Sequence, residues 1–105
     1  DYIECIKKRS IPDYKRYPSV MPQWDNSPRR EKGATIMLNA NPSKFEEWCD
    51  FALNTFKPYS VEENLFFINA WNEWAEGNYM DPCHLYDHVY LESFKRSLDK
   101  YVQLQ

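Results

Sequence analysis

The stretch from Leu65 to Pro82, LFFINAWNEWAEGNYMDP, opens on four apolar residues in succession and then turns into two tryptophans and three carboxylates. A short continuous apolar run, Leu65-Phe66-Phe67-Ile68, has the pattern of a strand buried on both faces of a parallel sheet. Buried strands end in turn residues, yet here acids and aromatic rings crowd the exit. In parallel α/β folds the ligand sits at the carboxyl ends of the strands. Carboxylates beside indole rings at that place fit a polar, ring-shaped ligand, and sugars answer that description.

Working upstream, Asn41-Pro42 supplies a helix cap and a proline at the first helical position. From there Phe45, Trp48, Cys49, Ala52, Leu53 and Phe56 recur at helical spacing, while Glu46, Glu47, Asp50 and Asn54 take the other face, and Pro58 ends the helix. Ala34 to Asn39, with Ile36, Met37 and Leu38, reads as a brief strand. Tyr17 to Trp24, YPSVMPQW, is a short apolar segment broken by prolines and reads as an edge-like strand that delivers Trp24-Asp25-Asn26 into a loop. Residues 1 to 16 carry Tyr2, Ile3 and Ile6 at helical spacing before Pro12, with no start signal, as though the chain begins within an element. Downstream, a final helix is expected from Asp87 to Val102, with Tyr90, Leu91, Phe94, Leu98, Tyr101 and Val102 inward and a Glu92 to Arg96 pair outward.

Strands alternating with helices, with polar residues gathered at strand exits, give the fold class as parallel α/β. Two or three βα units are too few to close a barrel or fill a large sheet. Residues 1–105 are therefore expected to form a single partial domain, the C-terminal part of a larger fold whose other strands lie elsewhere in the polypeptide or in another chain.

At 105 residues the chain has a modest core, yet 17% of it is aromatic, with four Trp, eight Tyr and six Phe, more than filling that core requires. Stacking on a ligand is the evident use for the surplus. The net charge of −3 provides no global positive field for nucleic acid or anionic lipid. Basic residues cluster locally at Lys7-Lys8-Arg9, at Lys15-Arg16 and at Arg29-Arg30 with Lys32, either as solvated loops or as contacts to a phosphate-bearing donor. Three widely spaced cysteines, Cys5, Cys49 and Cys83, indicate neither a disulfide framework nor a zinc site. No run reaches the roughly 20 apolar residues of a membrane span, and the N-terminus lacks a secretory core, so a cytoplasmic protein is expected.

Three constellations carry chemical potential. Glu73 and Glu76 stand three apart after the strand, interleaved with Trp71 and Trp74. Cleaving or making a glycosidic bond needs one group to protonate the leaving oxygen and another to assist attack at the anomeric carbon. A helical turn after Asn72 places both acids on one face; a solvated acidic loop with the tryptophans in the core is the alternative. In the second constellation, Trp24 stacks on a sugar ring while Asp25 and Asn26 hydrogen-bond its hydroxyls, with Arg29 close behind; an Asx-turn with Trp24 in the core is the plain alternative. The third, Cys83, His84 and His88 near Asp81 and Asp87, has metal-like spacing without an H-E-x-x-H pattern, so one histidine is expected beside the site and the other on the surface. Gly33 and Gly77 are the sole glycines, which excludes a glycine-rich nucleotide loop within this segment and also a G-x-S-x-G elbow.

PQWDNSPRR, then NPSKFEEW at the head of a helix, then FFINAWNEWAEGNYMDP resembles the WbsX-like glycosyltransferases, which are related to glycoside hydrolase family 99. The likeness covers most of residues 15 to 100 and rests above all on WNEWAEG, with W-D-N-x-P-R beside it. It implies a (β/α)8 barrel of TIM type, incomplete here, with this chain holding its C-terminal βα units. It also implies that Glu73 helps the sugar's own 2-hydroxyl attack the anomeric carbon to give an anhydro sugar, while Glu76 serves as acid and then base. Related sequences read L-E-P where this chain has Met80-Asp81-Pro82, a carboxylate one methylene shorter.

The function expected is a glycosyltransferase segment acting in bacterial surface polysaccharide assembly, O-antigen or capsule. An endo-acting, α-mannosidase-like glycoside hydrolase of the same fold, or a non-catalytic glycan-binding module, is the alternative. Catalysis is assigned to Glu73 and Glu76, and substrate binding to Trp24, Asp25, Asn26, Arg29, Trp71, Asn72, Trp74 and Tyr79. The expected partners are a sugar or glycan, a nucleotide-sugar donor, and the remaining barrel segment in cis or a second copy of the chain. No cofactor, metal or nucleic acid is expected.

Overall fold

The computed structural model describes residues 1–104. Its longest elements are two helices, and the first is set by the residues that announce it. α2 (Pro42–Thr55) follows α1 (Tyr2–Lys7) and β1 (Ser19–Val20). Asn41 caps it, its Oδ1 accepting the Lys44 N–H at 2.9 Å, and Pro42 occupies a position whose missing N–H is no loss. Phe45 and Cys49 are fully buried, with Ala52 and Leu53 nearly so. α1 is a single short run capped by the Asp1 carboxylate, which accepts from the Ile3 N–H at 2.8 Å, so the element does carry a start signal.

α2 packs against α3 (Val89–Gln103). The fully buried positions of α3 are Tyr90, Ser93 and Ser97, more polar than the expected apolar stripe, while Leu91 and Phe94 pack half-buried against the core as expected. Two serines at the crossing let the helices approach closely, and the Ser97 hydroxyl donates to Asp50 Oδ1 at 2.7 Å. Val102, expected inward, is exposed. The expected Glu92 to Arg96 pair is also replaced: Arg96 Nε reaches Glu46 Oε1 at 2.5 Å, and Lys100 Nζ reaches Asp50 Oδ2 at 2.7 Å. Half of the α2 face expected in solvent is thus a polar seam against α3.

β1 pairs in parallel with β2 (Phe67–Ile68), Ser19 opposite Phe67 and Val20 opposite Ile68, with α2 as the intervening crossover. Val20 enters the core with Phe45, Cys49, Met80 and Tyr90, and Phe66 and Ile68 pack against that cluster. The strand expected to be buried on both faces is covered on one: Leu65 and Phe67 remain 43% and 52% exposed. Burial alternates because the helical layer lies on a single side of so small a sheet. The brief strand expected at Ala34 to Asn39 is reduced to one antiparallel bridge between Asp25 and Ile36, reinforced by the Met37 N–H donating to the Trp24 carbonyl at 2.8 Å.

Burial beside Asp50 and Glu46 pushes the Cys49 thiol from an ordinary 9.0 up to about 12. The folded state therefore holds the neutral thiol, and its contribution is complete below pH 9 and lost as pH rises toward 12. Urea titrations between pH 8 and pH 11 are expected to give a falling midpoint. At pH 8 a thiol reagent is expected to label exposed Cys5 at once and Cys49 only on unfolding. Equal labelling rates for the two contradict the burial.

Candidate functional site

Beyond β2 the chain forms a tight antiparallel ribbon. β3 (Asn72–Glu73) leads through a single 3₁₀ turn, Trp74–Glu76, into β4 (Asn78–Tyr79), with Asn72 opposite Tyr79 and Glu73 opposite Asn78. The Trp71 carbonyl closes the base, accepting the N–H groups of Met80 and Asp81 at 2.9 Å each. Gly77 ends the turn in the left-handed region at φ +54. A Cβ there would meet Asp25 Cβ at 3.4 Å, an ordinary contact distance, so it is the left-handed angle that favours glycine. Gly77→Ala is expected to cost about 1–2 kcal/mol, read from urea unfolding; an unchanged midpoint contradicts the strain.

That close approach ties the ribbon to the Trp24–Arg29 loop. The Asp25 N–H donates to the Glu76 carbonyl at 2.8 Å, and Arg29 Nη1 donates to Glu76 Oε1 at 3.2 Å. Two clusters 47 residues apart in sequence thereby meet at Glu76. The side chains of Asp25 and Asn26 shape the loop itself. Asp25 Oδ1 accepts the Ser27 N–H at 2.9 Å, and Asn26 Oδ1 accepts the Thr35 N–H at 2.7 Å. Hydrogen bonds from Ser27 hold the Asp25 carboxyl below its usual value. The Asx-turn alternative thus describes the local geometry of this pair.

Trp74 stacks on Tyr79, ring centroids 3.8 Å apart and planes 22° from parallel. Trp71 and Trp74 are each nearly half exposed. Two open cavities lie beside the Trp74–Tyr79 pair. One of 580 Å³ is bounded by Trp74, Tyr79, Pro82, Cys83, His84, Leu85 and Asp87. Another of 350 Å³ is bounded by residues that include Gln23, Trp24, Asp25, Ile36, Gly77 and Tyr79. Glu73 and Glu76 line neither wall directly. Instead the turn that carries Glu76 contributes Trp74 to one cavity and Gly77 to the other. Asn26, Arg29, Trp71 and Asn72 also stand outside both linings, Arg29 through its bond to Glu76 and Asn72 on the ribbon face it shares with Tyr79.

Asn78, absent from the sequence-derived candidates, is fully buried and braces the site from beneath. Its Oδ1 accepts the Ala70 N–H at 3.1 Å, and its Nδ2 donates to Asn69 Oδ1 at 3.2 Å, pinning the segment between β2 and Trp71. Only the contrast of a polar residue beside Tyr79 and Met80 marks it in the sequence. Asn78→Ala takes the acceptor from the half-buried Ala70 N–H, exposed Asn69 turning to water instead, and about 1–3 kcal/mol of stability is expected to be lost; denaturant unfolding with no loss contradicts the brace.

His84 lines the larger cavity while His88 stands on the surface, its Nε2 3.6 Å from Asp87 Oδ1. Among the described residues no group of three or more His, Cys, Asp or Glu is gathered as a metal site. None of their helices is long and apolar enough to cross a membrane.

Residues 1–94 match the protein family described as Glycosyltransferase WbsX. Two curated relatives, both named Uncharacterized protein WxcX and found in Xanthomonas campestris pv. campestris strains B100 and ATCC 33913, are 33% identical to this chain over 96 residues. The match covers 90% of this chain and 14% of each relative's length. No solved structure matches.

Proposed function

Since the chain belongs to the glycosyltransferase WbsX family, we propose that it carries the acid pair of a carbohydrate-active enzyme that transfers a glycosyl residue in the assembly of bacterial surface polysaccharide. One observation carries this reading: Glu76 sits in a tight turn whose neighbours Trp74 and Gly77 each line a cavity, and Arg29 joins it to the Trp24 loop. Glu76 delivers a proton to the leaving oxygen and then takes one from the acceptor hydroxyl, while Glu73 assists displacement at the anomeric carbon. Arg29 positions the Glu76 carboxylate. With its side chain 55% exposed, the pair is weak enough to separate when a ligand enters.

The parallel β1–β2 pair belongs, in this proposal, to a (β/α)8 barrel completed by further polypeptide. The open faces of Leu65 and Phe67 support that view, as does the far greater length of the relatives. We place the enzyme in the cytoplasm, where nucleotide-sugar donors are made.

The test supplies radiolabelled nucleotide-sugar donors with a polysaccharide acceptor and follows label into acceptor or into free sugar. Label in the acceptor supports the transferase. Free sugar in its place, or cleavage of an α-mannoside, substitutes an endo-acting glycosidase with the same two acids. Glycan binding without turnover reduces the chain to a binding module.

A further inference from the structure

We propose that the 580 Å³ cavity beside Trp74 is a sugar-ring subsite, and that the loop from Cys83 to Asp87 is its preformed lip. This rests on the carbohydrate reading of the neighbouring acids and adds a binding surface to it. Three observations carry it.

The first is the wall. Tyr79 covers one face of the Trp74 indole at 3.8 Å, and the indole is still 46% exposed, which leaves ring surface open to a ligand. An indole backed by a second ring is fixed in orientation before anything binds, so stacking a pyranose on it orders little further protein. Burial and a hydrogen bond to Cys83 raise the Tyr79 phenol above its ordinary value, so the hydroxyl keeps its proton.

The second is the lip. The Cys83 N–H donates to the Asp87 carbonyl at 3.2 Å, and the Asp87 N–H returns a bond to the Cys83 carbonyl at 2.7 Å. Tyr86 N–H closes onto Cys83 Sγ at 3.2 Å. Asp87 adopts φ +50, a left-handed angle that aspartate tolerates. This closed loop holds Leu85 76% exposed at its tip, on the rim of the cavity. An apolar side chain held in water by a hydrogen-bonded loop is shaped for contact, and Leu85 faces a space walled by rings.

The third is composition. Rings, Pro82 and Leu85 suit the C–H face of a pyranose, while His84 and Asp87 stand at the edge to meet hydroxyls. The volume falls in the range of small-molecule sites, about 300–1,000 Å³. The occupant is a neutral glycan residue. Tyr79 is common to the walls of this cavity and of the smaller one.

The experiment uses the intact chain with three simple probes: methyl α-mannopyranoside, methyl β-glucopyranoside and methyl α-rhamnopyranoside. Saturation-transfer NMR is expected to show magnetisation passing to the ring protons of at least one of them, and titration gives its affinity. Leu85→Asp leaves the fold intact because the side chain is exposed, and it should weaken that affinity about tenfold, equivalent to roughly 1.4 kcal/mol. Val61→Asp, at a 96% exposed position in neither lining, should change nothing. Unaltered affinity in Leu85→Asp together with loss in Ile36→Asp, on the smaller cavity, overturns the subsite and leaves the carbohydrate reading standing. Saturation transfer to none of the three glycosides overturns the subsite outright, whereas the catalytic reading is decided separately by turnover.

Discussion

Glu76→Gln is expected to lower turnover by about 10²- to 10⁴-fold, the range that positioned general acids and bases contribute. The amide keeps the shape of the side chain and its capacity to accept from Arg29, so the Arg29 contact and the Asp25 to Glu76 backbone bond are both retained. What is lost is the ability to give and take a proton. A fall in kcat with an unchanged KM separates this from a defect in glycan binding. Measured on the polypeptide with donor and acceptor both saturating, turnover within tenfold of the parent removes Glu76 from the chemistry.

Phe45→Ala has the largest effect on the fold, with about 3–5 kcal/mol of stability lost, as is usual for a fully buried phenylalanine. The ring is 0% exposed, lies on the core-facing side of α2, and meets the Tyr90 ring edge-on at 5.5 Å and 61°. Removing it opens a cavity at the junction of α2, α3 and the β1–β2 pair, which the serine-lined seam of α3 cannot refill. Small domains hold only about 5–15 kcal/mol in all, so the variant is expected to unfold at a much lower urea concentration and to be partly unfolded at 37 °C. A loss below about 1 kcal/mol would mean that the core lies elsewhere.

Much of this is legible in the sequence, and the division follows from range. Asn41-Pro42 and the recurrence from Phe45 to Leu53 specify α2 locally, since cap, proline and apolar face all act within a few turns. The order strand, helix, strand, helix and the parallel pairing follow from the same local signals. What escapes is set by distant partners. Arg96 chooses Glu46, fifty residues away, over the helical neighbour Glu92. Leu65 to Ile68 carries a pattern for two-sided burial, but the structure around it covers one face.

The site divides in the same way. The N-E-W-x-E-G spacing marks Glu73 and Glu76, which stand at the two ends of one short turn, and the Trp24 loop is marked by its own composition. Their meeting through Arg29 and the Asp25 amide is a tertiary fact with no local signal. Asn78 escapes because a buried asparagine looks like an exposed one until its partners at Asn69 and Ala70 are known. Asp25 and Asn26 combine the residues of a sugar site with those of an Asx-turn, and sequence leaves both open.

The central claim is that Glu73 and Glu76 act as one unit on a single glycosidic bond. Its most direct test is a turnover cycle of the parent, Glu73→Gln, Glu76→Gln and the double variant on one donor. The claim predicts that either substitution alone removes nearly all activity and that the second adds little, because groups that act together are far from additive. Losses that simply multiply, or a single variant with undiminished turnover, contradict it.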